Sequence, residues 1–261
     1  MLYREYCLEK FRDGKPQKVE AAPIIPPKYI PKEKSQRLID SLMPRLDSLP
    51  DDNVAVKYAV SRLIPREKFS ELYFIDNVKN LEQLSEKYRN KIVGKEPRLV
   101  LPFYDWTGRL TGISARALGN ESLRYLTIKI REDELLIFGT ETVDIKKRVY
   151  VVEGPIDSLF LDNCIAVAGT AFTKLDMVNI PKENMTLILD NQPRNREVLA
   201  IYHKMIQNGY SIVIWPSDIE GKDINQLILD GYTKSSLKEL LDRNTFSGLT
   251  ATINFNRWKK I

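Results

Sequence analysis

The chain has 261 residues, 43% of them hydrophobic and 29% charged, with a net charge of +5, which reads as an ordinary soluble globular protein of one large or two small domains. It has no run of about 18 apolar residues, so no membrane span is expected, and the charged start Met1-Leu2-Tyr3-Arg4-Glu5 is unlike a secretory signal. Cys7, Cys164 and the single His203 are too few and too far apart for a disulfide framework, a zinc ribbon or a histidine-based triad.

Residues 1–35 form a basic arm in which Pro16, Pro23, Pro26, Pro27 and Pro31 break any long helix. Residues 35–90 read as helical. Ser35 is placed to cap a helix through about Leu42, Val54 to Val60 has the apolar spacing of a second helix ending before Pro65, and Leu81, Leu84 and Tyr88 suggest a third. The pattern then turns to strands. Leu99 to Asp105 and Leu110 to Arg116 flank the turn Trp106-Thr107-Gly108-Arg109, and Arg124 to Lys129 follows. This predicts an antiparallel patch that exposes its Arg and Lys side chains.

From Arg148 the pattern is α/β. The strands are expected at Val149–Val152, Ala166–Ala168, Met185–Leu189 and Ser211–Trp215, with helices at Ile156–Leu161, at 195–208 and from about Ile224. Apolar runs of four or five residues separated by helices indicate a mostly parallel, four-stranded sheet. Charge divides along the same line. Residues 1–150 hold 28 Lys and Arg against 22 Asp and Glu, while residues 151–261 hold 12 against 13. A basic first half beside a slightly acidic second half suits polyanion binding next to a carboxylate metal site.

The informative carboxylates follow the strands: Glu153 the first, Asp190 the third and Asp223 the fourth. Ligands of open parallel sheets bind at the carboxyl ends of strands. Three carboxylates delivered there can share Mg²⁺, which takes hard oxygen ligands and keeps several waters. An Asp or Glu after a strand also has a plainer role, as the N-cap of the next helix. Gly-x-x-x-x-Gly-Lys-Ser/Thr and Gly-x-Gly-x-x-Gly are both missing, which disfavours P-loop and dinucleotide chemistry.

Val151-Val152-Glu153-Gly154-Pro155-Ile156-Asp157-Ser158 resembles the first motif of the Toprim domain, shared by primases, topoisomerases and some nucleases. Ala168-Gly169-Thr170-Ala171-Phe172 is similar to the glycine turn of primases. Leu187-Ile188-Leu189-Asp190-Asn191-Gln192-Pro193 is similar to the second acidic motif, and Gly221-Lys222-Asp223-Ile224-Asn225 to the third. Ahead of them, Pro102 to Asp105 with Gly108 and Leu110 to Arg116 resembles the primase-specific β-hairpin, and Arg124-Tyr125-Leu126 its later basic segment. The chain thus resembles DnaG-type DNA primases without the zinc ribbon, in the form found in T4-like bacteriophages.

That resemblance implies an organisation of arm (1–35), α+β nucleic-acid-binding subdomain (36–146), Toprim catalytic domain (147–230) and C-terminal helical extension (231–261). It implies RNA-primer synthesis on single-stranded DNA from ribonucleoside triphosphates, beside a replicative hexameric helicase, in the cytoplasm of the host. Glu153 would be the general base or a metal-positioning acid, Asp190 and Asp223 would hold Mg²⁺ or Mn²⁺, and Asp157 would tune the site. Lys222 would face phosphate, and Arg109, Arg116, Arg124 and Lys129 would contact template or nucleotide. Tyr104, Trp106 and Tyr125 are candidates for base stacking, with burial in the core as the plainer fate.

Two positions depart from the family pattern: Gln192 and Asn225 stand where Asp is common. Amides can ligate through their carbonyl oxygen but bring no charge. No zinc is expected in this chain, so zinc-dependent template choice would come from a separate zinc-ribbon chain or be absent. A Toprim nuclease and a non-catalytic nucleic-acid-binding module are the competing functions; a topoisomerase lacks room for a strand gate.

Overall fold

Arg98-Leu99-Val100-Leu101-Pro102-Phe103-Tyr104 is apolar at nearly every position, and a strand of that composition needs cover on both faces. The computed structural model, which describes residues 38–132, 134–167 and 169–260, supplies it. Strand β1 (Tyr73–Ile75), β2 (Arg98–Tyr104), β3 (Leu110–Ala117) and β4 (Tyr125–Lys129) form an antiparallel sheet in the order β1-β2-β3-β4. Every residue of β2 and β3 is buried. Leu99, Leu101 and Phe103 face the main core, while Val100, Ile113 and Ala115 face a second core with Ile39, Met43 and Leu81. The expected exposed basic patch is therefore corrected: Arg98 and Arg116 lie in the interior, at 2% and 9% exposure.

The β2–β3 turn is closed by Asp105, whose Oδ1 accepts hydrogen bonds from the Thr107 and Arg109 backbone N–H groups at 2.8 and 3.0 Å. Gly108 takes φ +75° there, a conformation open to glycine at no steric cost. Residues 38–42 are helical, and α1 (Val54–Ser61) begins where the Asn53 side chain accepts from Ala55 N. The third expected helix is instead two 3₁₀ segments, Val78–Leu84 and Glu86–Tyr88, interrupted by extended Ser85. Buried Leu81 and Leu84 are three apart, the period of a 3₁₀ helix. The arm 1–35, the Ser35 cap, Cys7 and Ala168 lie outside the described residues.

The second sheet has six strands in the order β10-β9-β8-β6-β7-β5. Strand β6 (Val149–Val152), β7 (Cys164–Val167), β8 (Met185–Ile188) and β9 (Ser211–Val213) are parallel. The edges β5 (Ile137–Phe138) and β10 (Thr245–Phe246) are antiparallel additions beyond the four strands expected. Each is two residues long and exists through pairing, so neither carries a local sequence signal. The connections run from β6 to β7 on one side and then to β8 on the other, so the order reverses between β6 and β8. Crevices at such switch points are where open α/β sheets place ligands.

Helix α2 (Pro155–Ser158) is a single turn, shorter than expected; α3 (Arg196–Gln207), α4 (Ile224–Leu229), α5 (Lys234–Arg243) and α6 (Gly248–Trp258) complete the chain. Asn195 caps α3 by accepting from Glu197 N and Val198 N. Val198, Leu199, Tyr202, Met205 and Ile206 form the buried stripe of α3, each worth about 1.5–3 kcal/mol, and His203 lies on its exposed side. Tyr202 stacks on Phe255 and meets Trp258, with centroids 5.7 and 4.7 Å apart, which seats α6 against α3. Among the described residues no helix is long and apolar enough to cross a membrane.

Candidate active site

At the β6/β8 switch point the chain turns out of the sheet through Glu153-Gly154 and Leu189-Asp190. A cleft of about 200 Å³ opens there, with Glu153, Asp157, Asp190 and Asp223 on one side and Arg62, Arg116 and Arg124 on the other. Lys222, Asn225, Tyr58 and Tyr125 also line it. Of the residues singled out in the sequence, the structure thus brings together Glu153, Asp157, Asp190, Lys222, Asp223, Asn225, Arg116 and Arg124. It does not bring in Arg109, Lys129 or Gln192. Tyr104 is buried elsewhere in the core and Trp106 is at the hairpin turn, so among the three aromatic candidates only Tyr125 lines the cleft.

Gly154 makes the first motif compact. A β-carbon on it would lie 2.4 Å from Asp157 Oδ2, so glycine leaves the space that the Asp157 carboxylate fills. Asp157 Oδ1 accepts from Asn225 N at 2.9 Å, which ties the first motif to the third. Asp223 accepts from Gln226 N at 2.8 Å and caps α4; the plain capping role and a place in the cleft coexist in one residue.

Glu153, Asp157 and Asp190 are held above their ordinary carboxylate pKa values. Burial raises Glu153 and nearby Asp190 adds to it, against the pull of Lys222. Burial likewise raises Asp190, with Lys222 opposing and Asp223 reinforcing. Asp157 is pushed up to about 7 by burial and by Asp223, Asp190 and Glu153, in spite of its bond from Asn225 N. Each is costly to ionise because water is displaced and like charges are near. A cation would relieve both costs.

The set is nevertheless open. Among the described residues no three Asp, Glu, His or Cys side chains are gathered closely enough to hold an ion as they stand. Asp190 Oδ2 is drawn 3.0 Å from Lys222 Nζ and Asp223 is engaged as a cap. The Lys222 side chain is 53% exposed, and exposed pairs of this kind are worth about 0–1 kcal/mol, so the pair yields easily to a stronger counter-charge. Two or three hard oxygens beside an open cleft fit Mg²⁺ or Mn²⁺, which are held by few carboxylates with water and substrate phosphate completing the shell.

Gln192 is corrected as a ligand. Its Oε1 accepts from Asn195 Nδ2 at 2.7 Å and its Nε2 donates to Asp190 Oδ2 at 3.3 Å, so it presents N–H groups to the acid. Asn225 is a clasp. Its Nδ2 donates to Arg62 O at 2.8 Å and its Oδ1 accepts from Arg62 Nη1 at 3.2 Å. Both ends of its amide are thereby used to fasten the end of α1 to the start of α4.

The opposite wall is cationic and aromatic. Arg116 Nε donates to Tyr58 Oη at 3.0 Å, and its guanidinium carbon lies 4.7 Å from the Tyr125 ring centroid and 5.9 Å from that of Tyr58. Arg62 sits 5.6 Å from the same Tyr58 ring. Among the described residues neither Arg62, Arg116 nor Arg124 forms an ion pair. Tyr58 and Arg62 were not foreseen; their helix carried only an apolar spacing, and no local pattern marks its end as part of a site. Arg109 was misplaced because it is consumed in the hairpin, its Nε donating to Asp105 Oδ2 at 2.6 Å with Glu134 beyond. Lys129 is the last residue of β4, four residues along the strand from Tyr125, which is about 13 Å away.

No family model matches the chain. The DNA primase of Enterobacteria phage T4 is 34% identical over 266 aligned residues, spanning 100% of this chain and 75% of that protein. A structure of the Aquifex aeolicus primase, comprising zinc-binding and RNA polymerase domains, is 20% identical with a TM-score of 0.61, covering 94% of this chain and 67% of that one. A DnaG primase catalytic domain bound to single-stranded DNA is 17% identical with a TM-score of 0.57, covering 82% and 78%. The two structures establish the fold, and the phage relative matches along this chain's whole length. Taken with the acidic motifs at the sheet's switch point, they show that the chain belongs to the DNA primases and carries the DnaG-type, Toprim-containing catalytic core.

Proposed function

We propose that this primase joins ribonucleotides in the cleft between the acidic and basic walls, with single-stranded DNA as template. The observation that carries the reading is the arrangement of charge: carboxylates at the β6/β8 switch point face three arginines, none in an ion pair among the described residues, across about 200 Å³. A nucleoside triphosphate is a polyanion that suits the basic wall. The acidic wall is then left for a divalent ion, held by Asp190, Asp223 and Glu153, which when bound neutralises phosphate charge and lowers the pKa of an attacking hydroxyl.

Glu153, with its raised pKa, is suited to accept the proton of the attacking hydroxyl. Lys222 exchanges its contact with Asp190 for one with phosphate. Arg116 and Arg62 orient the nucleotide, and Tyr58 and Tyr125 hold those guanidinium groups by their ring faces. Arg124 approaches the template backbone, giving binding that is salt-sensitive and little dependent on sequence. Residues 36–146 would act as the nucleic-acid-binding subdomain and 147–230 as the catalytic domain, with β5 shared across that boundary. A replicative helicase and a separate zinc-ribbon chain as partners, and a place in the host cytoplasm, rest on the family resemblance.

The departures at Gln192 and Asn225 do not argue for an inactive site. Gln192 supports Asp190 by donating to it, and Asn225 has a structural use that requires an amide. The test is primer synthesis on single-stranded template by the wild type and Glu153→Gln. Loss of product with DNA binding retained supports the assignment. Equal product from the mutant removes Glu153 from catalysis, and template cleavage in place of synthesis favours a nuclease.

A further inference from the structure

Asp190 lies two residues past the end of β8, beyond the sheet's ladder of hydrogen bonds, among like charges that repel it. Its position is set by its neighbours. On one side Leu189 O accepts from the Trp215 indole Nε1 at 2.7 Å. On the other, the backbone N–H of Asn191 donates to Lys222 O at 2.7 Å. The Asn191 side chain is fully engaged: Nδ2 donates to Ile219 O at 2.9 Å and to Gly221 O at 3.2 Å, and Oδ1 accepts from the Trp258 indole Nε1 at 3.1 Å. Lys260 N donates to Pro193 O at 2.9 Å, closing the same loop onto the end of α6.

Asn191 therefore joins three segments: the loop that carries Asp190, the loop at 219–222 that leads into Asp223, and the last turn of α6. We infer that Asn191 and Trp258 are positioning residues that set the spacing of Asp190 and Asp223 for a divalent ion, so that α6 belongs to the catalytic core. The inference rests on the reading above, in which those two acids hold the ion. Groups that orient ligands in this way commonly change metal affinity about 10–100-fold when removed. The simpler use of Trp258 is to fill the core against Tyr202 and Phe255, and that use needs the ring without its N–H.

The test is Mn²⁺ binding, followed by the electron paramagnetic resonance of the free ion, in the full chain and in Trp258→Phe, Asn191→Ala and the double variant. Asp190→Asn is the control, and thermal unfolding is measured in parallel. Trp258→Phe keeps an aromatic ring and deletes the donor. We expect Mn²⁺ binding weaker by roughly tenfold in Asn191→Ala and by about three- to tenfold in Trp258→Phe. The double variant should be no weaker than Asn191→Ala, because one chain of contacts is broken once. Wild-type Mn²⁺ affinity in both single variants, or full addition of their effects, overturns the inference while leaving the function intact. If Asp190→Asn binds Mn²⁺ as the wild type does, the metal reading itself fails and the inference with it. Should Trp258→Phe not fold, Asn191→Ala alone decides.

Discussion

The acidic wall of the cleft comes from loops at one edge of the parallel sheet, whereas the basic wall is assembled from the end of α1 and two strands of the smaller sheet. The acids are strained by one another: Glu153, Asp157 and Asp190 are all shifted toward their protonated forms by burial and mutual repulsion. Arg62 and Arg116 are at ease, with ring faces, a hydroxyl and an amide as partners. On one wall the exposed Lys222 is the cation set against several acids, and on the other the arginines form no ion pair among the described residues. A metal-bound polyphosphate meets both needs, and this complementarity selects nucleotidyl transfer more sharply than either wall alone.

The comparison can be broken first at the acid. Glu153→Gln should lower primer synthesis by roughly 10²–10⁴-fold with little change in single-stranded DNA affinity; parallel primer and filter-binding assays read the two. On the basic side, Arg116→Ala removes a buried donor and leaves Tyr58 Oη without it. A loss of about 2–3 kcal/mol in kcat/KM for ribonucleotides is expected. Arg116→Lys should recover little of it, since an ammonium reproduces neither the planar stack nor the geometry of Nε. Steady-state kinetics that show full recovery by lysine would mean that charge alone matters there.

The strain among the acids can be measured as stability. Because Asp157 is raised in the folded chain to about 7, the folded state binds more protons than the unfolded one between about pH 4 and 7. Stability from this group is therefore lost as pH rises through that window. Asp157→Asn keeps an oxygen to accept from Asn225 N, so without metal it should be more stable than the wild type by about 1–3 kcal/mol at pH 8. The gain should vanish near pH 4, as denaturant melts at the two pH values would show. The smallest effect sharpens the seam between the walls. Asn225→Ala leaves Arg62 O without its donor and should cost about 1–2 kcal/mol in the same melts. It should also weaken ribonucleotide binding by freeing Arg62. Unchanged binding would confine the clasp to a structural role.

Much of the larger sheet could be read from the chain because its signals are local. An apolar run such as Val149–Val152 followed by Glu153-Gly154 has to leave the sheet at that point. Asn195 caps α3 with its own side chain, and Gly154 yields the space taken by Asp157 three residues on. The same locality explains why Glu153, Asp190 and Asp223 could be named: each follows a strand that its own neighbours specify. What misled was equally local. Arg109 looked available because its pairing with Asp105 is a matter of side-chain geometry, and Gln192 looked like a ligand because composition does not say which end of an amide faces an acid.

The order of motifs and the chemistry of the acids thus belonged to the sequence itself, since caps, turns and strand ends are settled among residues a few positions apart. Tertiary structure alone decided that Arg62 meets Asn225 across 163 positions, that Arg116 is buried between two rings, that β5 and β10 complete the sheet and that Trp258 reaches Asn191. Those partners are chosen by how apolar faces pack, and no single segment of the chain holds that information.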